Sequence, residues 1–220
     1  MDESAGSGGD GPHGDGRVYR WGADPEGADA AVVLLHGRGA SAEAMVDLVD
    51  QIRRPGAAYL APQATDYTWY PYSFMASIED NQPHLSSALS WVDDLFGELS
   101  AAGVDADRVL LMGFSQGGCL ASEYAVRNAR RYGGLAALSG GLIGPEGAEW
   151  HYDGDFEGTP ALLGCSDHDP HIPVERVHRT EEVLAAMGAE VDKRIYRDMG
   201  HLVNADEIEA VDGILGGMLA

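Results

Sequence analysis

Residues 108–119 read RVLLMGFSQGGC, an apolar run that stops at a serine flanked by glycines. Gly113 and Gly117 stand two residues to either side of Ser115, the G-x-S-x-G spacing of a sharp strand-to-helix turn. Such a turn holds the serine in a strained backbone conformation and crowds the flanking positions, so only very small side chains fit there. It also lifts the hydroxyl above a sheet and aims the N-terminal amides of the next helix at the same point. The pattern therefore demands a strand before it and a helix after it.

The rest of the chain supplies that context. AVVLLH (31–36), AAYLAP (57–62), RVLLMG (108–113), GLAALSG (134–140) and PALLGC (160–165) are short apolar runs of the kind buried on both faces of a parallel sheet. RVYRW (17–21) and EVDKRIY (190–196) are more polar and read as edges. Between them, apolar residues recur at helical spacing: Met45, Leu48, Val49 and Ile52 after a Ser41 cap; Leu85, Leu89, Val92, Phe96 and Leu99; Val174, Val177, Leu184 and Met187 after Pro173. A last helix starts at Asn204 with Glu207 in capping-box position and buries Ile208, Val211, Leu215 and Met218. Strand-helix alternation predicts an α/β fold, a doubly wound, mostly parallel sheet with helices on both faces. At 220 residues one domain over 17–220 is expected, preceded by a flexible, acidic, Gly-rich tail over 1–16. The segment after 134–140 is too short for a cap domain.

A serine hydroxyl becomes nucleophilic only when a base takes its proton, and the base needs an acid to orient it. His201, in RDMGHLVN, follows the 190–196 strand, and Gly200 before it would let the loop approach the serine. Asp167 and Asp169, in SDHDPHIP after the 160–165 strand, both qualify as the acid; Asp169-Pro170 fixes a tight loop and is favoured. Asp198 reads as a solvated loop charge. The backbone amides of Arg38, in LLHGRGAS, and of Gln116 are placed to hold a developing oxyanion, while the Arg38 side chain would neutralise nearby acid. Trp69, Tyr70, Tyr72, Phe74 and Met75, in TWYPYSFMA, form either an apolar pocket wall or a clasp for their own loop. His36 reads as a packing residue. His168, Asp169 and His171, with His151, are metal-ligating types, but their spacing matches no zinc signature. No metal and no cofactor are expected.

Thirty-six acidic against 14 basic residues give a formal charge of -22, and Lys193 is the single lysine. The acids are dispersed, which predicts a surface adapted to concentrated salt, a halophilic trait, and disfavours nucleic acid as a partner. No apolar window suits a membrane span, and the N-terminus lacks a secretory pattern, so a cytoplasmic protein is expected. Cys119 and Cys165 sit in apolar segments and read as buried free thiols.

Taken together, LLHGRGAS, APQA (61–64), GFSQGG, DPHIPV and MGH resemble the phospholipase/carboxylesterase family of α/β hydrolases, over roughly residues 30 to 218. The resemblance implies the α/β-hydrolase fold, a Ser115-Asp169-His201 triad and oxyanion amides at Arg38 and Gln116, and it admits a homodimer. It implies a small-molecule ester substrate with a short to medium acyl chain. An acyl-thioesterase or lysophospholipase acting on longer chains is the alternative, and a non-catalytic small-molecule binder is the alternative of another class. Thioesterase members usually carry Leu where Arg38 stands.

Overall fold

The computed structural model describes residues 2–5 by their backbone, and residues 11–14 and 16–220 in full. Among these residues eight strands form one sheet: β1 (Asp2–Ala5), β2 (Arg17–Gly22), β3 (Ala30–Leu35), β4 (Ala57–Pro62), β5 (Val109–Phe114), β6 (Gly134–Leu138), β7 (Pro160–Ser166) and β8 (Glu190–Tyr196), in the order β1-β2-β4-β3-β5-β6-β7-β8. The pairings β1 to β2 and β2 to β4 are antiparallel, and all others are parallel. From β3 the chain first crosses to β4 on one side and then to β5 on the other. The crevice between β3 and β5 is thus the point where the winding reverses, the place where such sheets put their ligands.

Among the described residues, five α-helices cover the sheet: α1 (Val46–Gln51), α2 (His84–Ala101), α3 (Gln116–Arg127), α4 (Val174–Ala186) and α5 (Ala205–Met218). Side chains alternate across each strand, so Ala30, Val32 and Leu34 of β3 pack with Val49 of α1, with Ile52 just beyond it, and with Val211 and Leu215 of α5. Ala31, Val33 and Leu35 face the other way, onto the apolar sides of α2, α3 and α4. Both faces are buried, which is why the central strands read as unbroken apolar runs. The expected doubly wound α/β-hydrolase sheet is the one observed. Residues 139–159, between β6 and β7, carry no regular element, so no cap domain stands there.

The capping box at α5 forms as its sequence predicts: Asn204 Oδ1 accepts from the Glu207 amide at 2.9 Å and Glu207 Oε2 from the Asn204 amide at 2.8 Å. The expected tail over 1–16 needs correction where it is described. Asp2–Ala5 pair with β2, and His13 is fully buried, with Nε2 3.0 Å from the Trp69 carbonyl and its ring stacked on Trp91. Residues 1, 6–10 and 15 lie outside the described residues. Polar local composition misses His13 because its partners, Trp69, Ser87 and Trp91, arrive from far along the chain.

Candidate active site

Ser115 stands between β5 and α3 with φ 57° and ψ −119°, a left-handed conformation that non-glycine residues rarely adopt. Its amide bonds the Leu138 carbonyl at 2.9 Å, and its carbonyl accepts from the Cys119 amide at 2.9 Å, so sheet and helix together hold the turn. The flanking glycines are compulsory. A Cβ on Gly113 would lie 2.3 Å from the Gly117 backbone, and one on Gly117 would lie 2.0 Å from the Leu35 carbonyl oxygen.

Two loops at the carboxyl edge of the sheet converge on this serine. His201, five residues beyond β8, places Nε2 2.8 Å from Ser115 Oγ and Nδ1 2.7 Å from Asp169 Oδ2. Asp169 follows β7, and its side chain is 0% exposed. Burial pushes its carboxyl upward, but the His201 bond and the amides of His171 (2.8 Å) and Ile172 (3.0 Å) outweigh that effect and leave it below its ordinary value. It is therefore held ionised. Asp167 turns away, accepting from the Asp198 amide at 2.8 Å and lying 2.9 Å from His168 Nδ1. Asp198 is a surface charge, as its position suggested.

Gly200 differs from expectation in its reason. No atom lies within 4 Å of where its Cβ would stand, but its φ is 79°, so the loop needs glycine for backbone conformation and not for close approach. Two contacts on His201 were not legible in the sequence: Phe114 packs on the imidazole at 4.8 Å between ring centroids, and His171 meets it edge-on at 4.8 Å. Both lie inside quoted stretches, Phe114 in GFSQGG and His171 in DPHIPV, but neither stretch gives its residue a contact with the base.

The serine opens into a cavity of about 500 Å³ whose lining includes Gly37, Arg38, Tyr70, Tyr72, Phe74 and His201. A Cβ on Gly37 would lie 3.4 Å from Ser115 Cβ, which places the 37–38 loop against the turn. Among the described residues, neither the Arg38 amide nor the Gln116 amide is engaged by a backbone carbonyl. Gln116 is the first residue of α3, where amides have no partner within the helix.

The aromatic loop divides between the two expected roles. Tyr70, Tyr72 and Phe74 line the cavity, with Tyr72 59% exposed. Trp69 does not: it is buried beneath the loop, donating from Nε1 to the His36 carbonyl at 2.8 Å. Met75 packs against the core on the α2 face instead. Loop residues have no periodicity from which inward and outward directions can be read.

The Arg38 side chain likewise departs from expectation. It bonds no carboxylate among the described residues, and donates to the carbonyls of Tyr70 (2.8 Å), Pro71 (2.9 Å) and Tyr72 (2.5 Å).

His36 is the packing residue foreseen. Its Nε2 accepts from the Ala64 amide at 3.1 Å, and burial draws its basicity below that of an ordinary imidazole. Cys119 and Cys165 are free and buried, and burial pushes both thiols up to about 12, so neither offers a thiolate near neutral pH. His168, His171 and His151 do not gather around Asp169 as a ligand set, because Asp169 is occupied by His201. No helix among the described residues is long and apolar enough to cross a membrane.

A serine on a strained strand-to-helix turn, at the winding reversal of a mostly parallel sheet, defines an α/β hydrolase. The profile of the phospholipase/carboxylesterase family matches residues 23–216, and the chain belongs to that family. It is similar to a phospholipase/carboxylesterase from Dyadobacter fermentans, with 42% identity, a TM-score of 0.86, and coverage of 92% of this chain and 96% of the other. It is also 25% identical over 209 residues to acyl-protein thioesterase 1 of Neurospora crassa, covering 84% of this chain and 85% of that one. The Zea mays acyl-protein thioesterase 2 shares the fold at 20% identity, with a TM-score of 0.71 and coverage of 93% and 100%.

Proposed function

We propose that this protein is a serine carboxylesterase that cleaves esters of short to medium acyl chains through an acyl-enzyme on Ser115. The observation that carries this reading is the continuous Ser115, His201, Asp169 hydrogen-bond chain. His201 Nε2 removes the proton as Oγ attacks the ester carbonyl, and the resulting oxyanion is held by the Arg38 and Gln116 amides. The imidazolium then gives its proton to the departing alcohol. Water, deprotonated by the same nitrogen, attacks the acyl-enzyme and releases the acid. Asp169 keeps Nδ1 protonated and stabilises the imidazolium throughout.

A cavity of about 500 Å³ suits a small ester, and Tyr70, Tyr72 and Phe74 in its lining offer an apolar wall to an acyl or aryl group. A non-catalytic binder would have no use for a base held 2.8 Å from a strained serine. The similarity to an acyl-protein thioesterase supports a second reading, hydrolysis of longer acyl thioesters.

Hydrolysis of p-nitrophenyl esters from acetate to palmitate, in molar salt, tests the proposal against Ser115→Ala and against an acyl thioester. The highest kcat/KM on short chains, with an inactive variant, supports the esterase. A higher kcat/KM on the thioester or on long chains favours the second reading, and full activity in Ser115→Ala contradicts both.

A further inference from the structure

Arg38 and Gln116 both line the cavity beside Ser115, and both use their side chains to grip one short segment. Gln116 Nε2 donates to the Tyr70 carbonyl at 2.8 Å while its Oε1 accepts from the Trp69 amide at 2.9 Å. The Arg38 guanidinium gathers the carbonyls of three successive residues, 70 to 72. Consecutive carbonyls turned toward one point repel one another unless a cation sits among them. A planar guanidinium meets that need with donors fixed on two separate nitrogens, Nη1 to Pro71 and Nη2 to Tyr70 and Tyr72, a spread that the single point of an ammonium does not reproduce.

The far side of the segment has its own anchor. The buried Asn81 accepts from the Tyr72 amide at 2.9 Å and donates to the Ser73 carbonyl at 3.0 Å. Loss of the Arg38 grip would therefore release the Pro71 and Tyr72 carbonyls on the cavity side and leave the Gln116 bond to Tyr70 and the attachment through Asn81 in place.

We propose that the Arg38 side chain is a positioning residue that ties the 70–72 segment to the loop beside Ser115, so that the wall made by Tyr70, Tyr72 and Phe74 stands where it discriminates acyl-chain length. The inference rests on the esterase reading. Because the Arg38 backbone amide is an oxyanion donor of the esterase reading while its side chain holds the wall, movement of the wall and misplacement of the amide go together. Small misplacements of reacting groups cost rate steeply, so both selectivity and turnover depend on the grip.

Arg38→Leu, Arg38→Lys and Arg38→Ala are compared with the wild type on butyrate and dodecanoate p-nitrophenyl esters, after circular dichroism shows each to be folded. For Arg38→Leu the kcat on butyrate should fall on the order of tenfold or more, and the butyrate-to-dodecanoate ratio of kcat/KM should shrink by a similar factor. Arg38→Lys, with its charge kept and its fork lost, should behave like Arg38→Leu. Millimolar guanidinium added to Arg38→Ala should restore part of the butyrate rate and of the ratio, a rescue that a general loss of stability would not show. Ratios within twofold of the wild type in Leu and Lys variants would overturn the proposal, as would a loss of rate that guanidinium does not rescue. A wild type inactive on every ester would instead sink the esterase reading, so the two failures are distinguishable.

Discussion

His201 Nδ1 lies 2.7 Å from Asp169 Oδ2, although Asp167 and Asp198 sit in the same two loops. The selection is made by the backbone: two amides bind the other Asp169 oxygen and aim the carboxylate inward, while Asp167 is drawn out by the Asp198 amide. Asp169→Asn keeps the shape but presents a group that leaves the imidazole tautomer free. The expected loss is about 10⁴-fold in kcat with little change in KM, the size seen when a serine-hydrolase triad loses its carboxylate. Asp167→Asn should stay within a few-fold of wild type, and parity between the two variants would refute the assignment.

Strain at Ser115 makes a second expectation. With φ 57° the position favours glycine, and holding a side chain there costs about 1–3 kcal/mol. Ser115→Gly should be inactive yet more stable than Ser115→Ala, by roughly 1 kcal/mol after the entropy of the added glycine. Urea denaturation checks this. A Gly variant less stable than the Ala variant would show that the turn is relaxed.

Glu207 gives the fold a pH dependence. It is buried at the start of α5, Oε1 has no hydrogen-bond partner among the described residues, and a Cβ on Gly164 would lie 2.1 Å from that oxygen. Burial pushes its carboxyl up to about 7, from an ordinary 4.5. Between those values the folded state holds a proton that the unfolded state has lost, so this group's contribution falls as pH rises and is fully lost above the folded value. Glu207→Gln can keep the capping box without the titration. Its stability relative to wild type should improve by about 1–2 kcal/mol from pH 5 to pH 8, a figure reduced for solvent screening. A gap independent of pH would argue that the carboxyl titrates normally.

The charge of -22 bears on salt. Screening shortens from about 10 Å in 0.1 M salt to about 3 Å in 1 M, so repulsion among dispersed carboxylates should ease as salt is added. Tm is expected to rise by several degrees over that range in sodium chloride. A constant Tm would remove the case for salt adaptation.

How far the sequence reaches is visible in particular residues. The turn at Ser115 was legible because its glycines are forced by contacts of about 2 Å, and the α5 start because a capping box is local. The central strands announced themselves by burial on both faces. His13 was misread, and the two roles open to Trp69 could not be told apart, because their surroundings are tertiary: Trp69 sits in a loop, and its indole is claimed by the His36 carbonyl 33 residues away. The Arg38 grip on residues 70–72 was likewise invisible, since a cation in an acidic chain suggests carboxylate partners and its actual partners are backbone oxygens.

The central claim is that Ser115 is the nucleophile, and covalent capture tests it most directly. Intact mass spectrometry after a fluorophosphonate, with peptide mapping, should show one adduct, on Ser115, absent from Ser115→Ala and slowed in Asp169→Asn. An unmodified wild-type protein, or an adduct at any other residue, would contradict the account.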